Sequence, residues 1–191
     1  MFIQTEETPN PATMKFLPGK PVLASGMREF NTAEEAAAAS PLAARLFAVN
    51  GVESVFLAWD FVSVTKEQAT PWPHLRPAVL GAIMEHYLSG DPVISDGETA
   101  TNAPAAEEFY DEGDENIVLT IKELLDTRVR PAVAQDGGDI AFQGFREGIV
   151  YLHMRGACAG CPSSTATLKM GIENLLKHFI PEVNEVRPIG Q

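Results

Sequence analysis

The chain has 191 residues, 45% of them hydrophobic, and a formal net charge of -12, which is enough apolar material for two small cores without disulfides. No apolar run approaches the roughly 20 residues that span a bilayer, and no basic patch is available to neutralise phosphates, so no membrane and no nucleic acid is expected as a partner. The opening Met1-Phe2-Ile3-Gln4-Thr5-Glu6-Glu7 lacks the basic and apolar blocks of a secretion signal and the Arg-rich character of an organelle presequence; the expected location is cytoplasmic, where cysteines stay reduced.

Taken in chain order, Phe2-Ile3-Gln4 and Met14-Lys15-Phe16 predict short strands on either side of Thr8-Pro9-Asn10-Pro11, where two prolines exclude regular structure. Thr32-Ala33-Glu34-Glu35 has the spacing of a capping box and opens an alanine-rich helix, and Pro41 opens a second one through Phe47. Val52, Phe56 and Ala58 alternate with Glu53 and Leu57 up to a tight turn at Trp59-Asp60, after which Phe61-Val62-Ser63-Val64-Thr65 completes a hairpin. Leu75, Val79, Ile83 and Tyr87 recur at every fourth place and predict a helix from Pro73 to Leu88. Residues 1–89 thus form a small α+β domain with no titratable cluster suited to catalysis. Residues 90–113 carry seven acidic side chains and no basic one, with few large apolar residues, and predict a flexible acidic linker.

Residues 114–191 form the second domain. Val118, Ile121, Leu124, Leu125 and Val129 mark one face of a helix from about Asp114 to Arg130-Pro131, and Asp136-Gly137-Gly138-Asp139 reads as a turn rather than as a pair of catalytic or ligating carboxylates. Ile140-Ala141-Phe142 and Ile149 to Met154 pair as a hairpin across Arg146-Glu147-Gly148. A helix follows Pro162, with Leu168, Ile172, Leu175, Leu176 and Phe179 as its buried stripe, and Val183 to Val186 is a last short strand. The fold class is α+β or α/β: two small domains joined by an acidic linker, the second a short sheet packed by two helices.

The chain's only cysteines, Cys158 and Cys161, stand in Gly156-Ala157-Cys158-Ala159-Gly160-Cys161-Pro162 just ahead of that last helix. A helix amino terminus favours thiolates and an anionic cluster beside them, and soft sulfur ligands suit iron-sulfur clusters, zinc or Cu(I) rather than magnesium or calcium. Two thiols cannot complete a four-ligand site. Zinc within one chain would need two of the scattered His74, His86, His153 and His178, and a dithiol oxidoreductase normally has its proline inside the pair, whereas Pro162 lies outside it. The remaining reading, two buried cysteines filling a core, is disfavoured by the glycines and proline around them.

Arg130-Pro131, Asp136-Gly137-Gly138-Asp139, Gly156 through Ser164, Thr167-Leu168-Lys169 and Pro181-Glu182-Val183 together resemble the carboxy-terminal domain of NifU-like, or Nfu-type, iron-sulfur proteins. The front half resembles the Nfu amino-terminal domain through Thr8-Pro9-Asn10-Pro11, Lys15 to Gly19, Ser40-Pro41-Leu42, Leu46-Phe47, Gly51-Val52 and Val55-Phe56. The resemblance implies a non-enzymatic carrier or scaffold. It would hold a 4Fe-4S cluster, or a 2Fe-2S cluster, between Cys158 and Cys161 of two copies and pass it to apo-proteins. Its partners would be a second copy of itself, client apo-proteins and the upstream assembly machinery. Because the chain starts almost at the first domain, it is similar to bacterial members rather than to mitochondrial ones with a presequence.

Overall fold

The computed structural model describes residues 1–95, 108–160 and 162–189, and the chain divides into two units, Met1–Ala103 and Pro104–Gln191. In the first, strands β1 (Gln4–Glu7), β2 (Thr13–Leu17), β3 (Arg28–Phe30), β4 (Val52–Leu57) and β5 (Val62–Lys66) form a sheet ordered β1-β2-β5-β4-β3. Every neighbouring pair is antiparallel. Helices α1 (Ala33–Ala39), α2 (Pro41–Phe47) and α3 (Trp72–Ser89) complete it. Phe16, Val55, Leu57, Val62 and Val64 share one core with Leu42, Leu46, Leu75, Val79 and Ile83.

Local chemistry explains the helix starts. Thr32 accepts a bond from the Glu35 amide at 3.2 Å, and the Glu35 carboxylate reaches back to the Asn31 amide at 3.2 Å, so orphan donors at both sides of the first turn are satisfied. Ser40 is fully buried and accepts from the Ala43 amide at 3.1 Å while donating to the Val93 carbonyl at 2.6 Å. One hydroxyl therefore caps α2 and fastens the chain beyond α3. The Arg45 guanidinium meets Glu85 at 3.0 Å and Asp91 at 2.7 Å, and the Ser95 amide donates to the Ala39 carbonyl at 2.9 Å.

Near the start of the second unit's described residues stands Phe109, whose amide donates to the Gln143 carbonyl and whose carbonyl accepts from the Phe145 amide. Helix α4 (Glu115–Leu124) runs through a π-helical turn, Leu125–Val129, into α5 (Arg130–Gln135). Strands β6 (Gly138–Arg146) and β7 (Ile149–Gly156) pair antiparallel, helix α6 (Pro162–Phe179) follows, and β8 (Glu185–Ile189) returns parallel to β7. The β6–β7 turn has φ of 51° at Glu147 and 77° at Gly148, the pair of positive angles that a tight hairpin with right-handed strand twist requires. Val118, Ile121, Leu125, Ile140, Val150, Leu152, Ile172 and Leu176 belong to its core.

Several expectations need correction. The first strand starts at Gln4, leaving Phe2 exposed, and β3 was not anticipated. Pro131 does not end the helix: the wide turn just before it accommodates a residue that has no amide to donate, and Pro131 then sits in the first turn of α5. Only Asp136-Gly137 is a turn, because Gly138 and Asp139 already belong to β6. Phe179 is 49% exposed rather than part of the buried stripe, and the last strand starts two residues later and ends three later than expected. The acidic stretch 90–113 is docked at both described ends, with Val93 and Ile94 packed on the first core and Phe109 hydrogen-bonded to the second sheet; its middle, 96–107, lies outside the described residues.

Candidate functional site

The candidate ligands fall where β7 gives way to α6. Gly156 ends β7 with φ 61° and Gly160 has φ 73°, conformations that a side chain disfavours, so the chain can reverse sharply between strand and helix. The turn is held by backbone bonds from Ala157 to the Gly137 carbonyl (3.2 Å), from Cys158 to Arg155 (3.3 Å) and from Ala159 to Gly156 (3.0 Å). The Thr165 hydroxyl, one turn into α6, donates to the Cys158 carbonyl at 3.3 Å. Cys161 lies outside the described residues, and α6 begins at Pro162 directly after it.

The expectation that glycines and a proline keep the cysteines out of the core fails for Cys158. It is 5% exposed and belongs to the second unit's apolar core together with Ile140, Met154 and Ile172. Gly138 permits this: a Cβ built there would meet the Cys158 Sγ at 2.5 Å, the Arg155 carbonyl oxygen at 2.8 Å and the Cys158 amide nitrogen at 2.9 Å. Gly138 and Gly156 are cross-strand partners, so two residues without side chains bring β6, β7 and the cysteine turn together.

Beside Gly138, Asp139 is 1% exposed and is gripped by Arg130 from α5. Across the ladder from Asp139 stands Arg155, itself buried. Two residues before Arg155 on β7, His153 has its pKa lowered by burial and, secondarily, by Arg155. Sequence reading treated Asp139 as a turn residue and missed Gly138, Thr165 and Arg130 as supports of the turn. The available signal was the second glycine of Asp-Gly-Gly-Asp, one more than a turn needs. Among the described residues no group of three or more His, Cys, Asp or Glu side chains could hold a metal ion. The donor chemistry fits a thiophilic cargo, since it offers sulfur and an adjoining helix start rather than carboxylate oxygens.

This is a two-unit α+β protein whose thiol-bearing turn precedes a helix. Residues 3–90 match the family model described as scaffold protein Nfu/NifU N terminal, and residues 121–187 match the NifU-like domain. The chain belongs to the Nfu/NifU scaffold family. Over 190 residues it is 48% identical to the NFU1 iron-sulfur cluster scaffold homolog, mitochondrial, of Homo sapiens, covering 99% of this chain and 72% of that protein. It is 48% identical over 188 residues to NifU-like protein 4, mitochondrial, of Arabidopsis thaliana, covering 97% and 65% respectively. The chain spans 62% of the corresponding Drosophila virilis protein, less than two thirds of its length. A solution NMR structure of a NifU-like protein from Saccharomyces cerevisiae is 27% identical and covers 50% of this chain and 86% of its own, with a TM-score of 0.45. The cytoplasmic expectation is overturned by these relatives, which are mitochondrial by name in human, fly and plant.

Proposed function

We propose that the chain is a non-enzymatic carrier of the mitochondrial type, which binds an iron-sulfur cluster and delivers it to apo-proteins. The cargo is a 4Fe-4S cluster held between two copies, with Cys158 and Cys161 of each chain as its four protein ligands. The observation that carries this reading is the cysteine turn at the start of α6 in a chain with two cysteines in all. Half a ligand set per chain makes a second copy part of the site. A 2Fe-2S cargo would use the same thiolates.

Delivery proceeds by ligand exchange, a client's thiolates replacing the carrier's one at a time; nothing in that step requires a catalytic acid or base. The iron-sulfur scaffold names of the relatives support the cargo, and the Nfu/NifU family models support the scaffold role. A dithiol oxidoreductase is less well supported, because such a pair normally has its proline between the cysteines and Pro162 lies outside this one.

Anaerobic reconstitution tests the proposal, with iron and sulfide counted per chain and molar mass measured by light scattering before and after. The expected result is ~2 irons per chain in a dimer, formed from a mainly monomeric apo-protein. Four irons on a monomer would overturn it, as would cluster retention by Cys158→Ser or Cys161→Ser.

A further inference from the structure

The sulfur of Cys158 occupies the volume in which any other residue at position 138 would place its side chain: a Cβ there would lie 2.5 Å from Sγ. The residue is 5% exposed and lies in the core, and a cluster shared with a second chain cannot reach a sulfur in that place. The turn carrying it is bracketed by Gly156 and Gly160, both at positive φ, and among the described residues beyond its chain neighbours none stands within 4 Å of a Cβ built on Gly160.

We propose that Cys158 is a ligand with two stations, stored against Gly138 in the unloaded chain and drawn outward to bind iron, with Gly138 as the positioning residue that makes room for the stored sulfur. The inference rests on the carrier reading above. The exchange balances without any redox change: a client thiol gives its sulfur to iron, the bond from iron to the Cys158 sulfur breaks, and the client's proton passes to the departing thiolate, which returns to the apolar store as a neutral thiol. Storage competes with iron for one sulfur atom and so favours hand-over to the client over retention by the carrier.

Iodoacetamide labelling of the full-length apo-protein, resolved by peptide mass spectrometry, reads the store without any cluster present. Cys158 is expected to label at least about tenfold more slowly in the folded chain than in urea, and Gly138→Ala, whose methyl group meets Sγ, to remove most of that protection. Labelling of the folded wild type at the unfolded rate overturns the proposal. So does an unchanged slow rate in a folded Gly138→Ala. Because that methyl group also meets backbone atoms of Arg155 and Cys158, a variant found unfolded by circular dichroism is replaced by Thr165→Val, which deletes the hydroxyl holding the Cys158 carbonyl. Labelling about threefold faster than wild type then supports the store, and an unchanged rate overturns it. Iron uptake separates the two readings: a chain that protects Cys158 yet takes up no cluster overturns the carrier reading and with it the second station, whereas one that loads normally with an unprotected Cys158 overturns only the store.

Discussion

Arg130 grips Asp139 with two nitrogens, Nε 2.9 Å from one carboxylate oxygen and Nη2 3.3 Å from the other, while its Nη1 holds Asp126 at 2.9 Å. The aspartate side chain is 1% exposed and the arginine's 38%, so the pair ties α5 to the start of β6 from a half-open position. Arg130→Met removes the cation that meets both oxygens of the buried Asp139 carboxylate and should destabilise the second unit by about 3 kcal/mol. Asp139→Asn keeps an acceptor while dropping the charge and should cost about 1 kcal/mol. Urea denaturation of both variants measures the difference; equal losses would mean that the charge of Asp139 is not what Arg130 compensates.

His86 in α3 is fully buried, and neither ring nitrogen has a hydrogen-bond partner among the described residues. Burial lowers its pKa from the ordinary 6.5, the Arg45 charge lowers it further, and Asp91 opposes them. In the unfolded chain the imidazole takes up a proton as pH falls through 6.5, whereas in the folded chain it does so only at lower pH. Stability is therefore full above that value and declines below it, by at most about 1.4 kcal/mol per pH unit, until the folded group also titrates. His86→Leu should flatten the decline between pH 7.5 and 5.5 in urea titrations. It should also raise stability at neutral pH by about 1 kcal/mol, because it removes two unsatisfied polar atoms.

The Phe109 ring fills the place of a side chain at Gly144, where a Cβ would come within 2.5 Å of it, and it lies 5.1 Å from the Tyr151 ring centroid. A fragment beginning at residue 114 discards this contact, although its helices and sheet remain. It should unfold about 2 kcal/mol more easily than one beginning at residue 108. Phe109→Ala in the full chain should reproduce most of that loss in thermal melts of the second unit.

Gly81 lies inside α3, and a Cβ built there meets nothing within 4 Å among the described residues. Gly81→Ala should therefore stabilise the first unit by about 1 kcal/mol through the helix backbone alone. Gly51 provides the contrast, with φ 98° and a Cβ position 2.5 Å from the Thr70 hydroxyl; alanine there should destabilise. Parallel melting curves for the two variants check the opposite signs.

What could be read in the sequence was local. Thr32 and Glu35 stand one helical turn apart, and Ser40 directly precedes Pro41, so the starts of α1 and α2 could be read from a few adjacent residues. Arg28–Phe30 is a strand only because Val55–Leu57 offers it partners, and three residues carry no period of their own. Pro131 misled because the turn that accommodates it depends on a change of helical register upstream, which no composition rule marks. Gly-Ala-Cys-Ala-Gly has the look of an exposed loop; Cys158 is drawn inward by a glycine on a different strand, and that relationship exists only once β6 and β7 have paired.

The parallel pairing of β8 with β7 sets an order of events for a growing chain. The cysteine turn is synthesised before α6, and α6 before β8. The helix is fastened by Glu173 accepting from the Val186 amide at 3.1 Å and by Lys169 meeting Glu185 at 3.5 Å. Both anchors lie on β8. A chain that stops before Glu185 therefore lacks both of these anchors, and the helix that follows the cysteine turn is fastened to the sheet only when the last strand has been made.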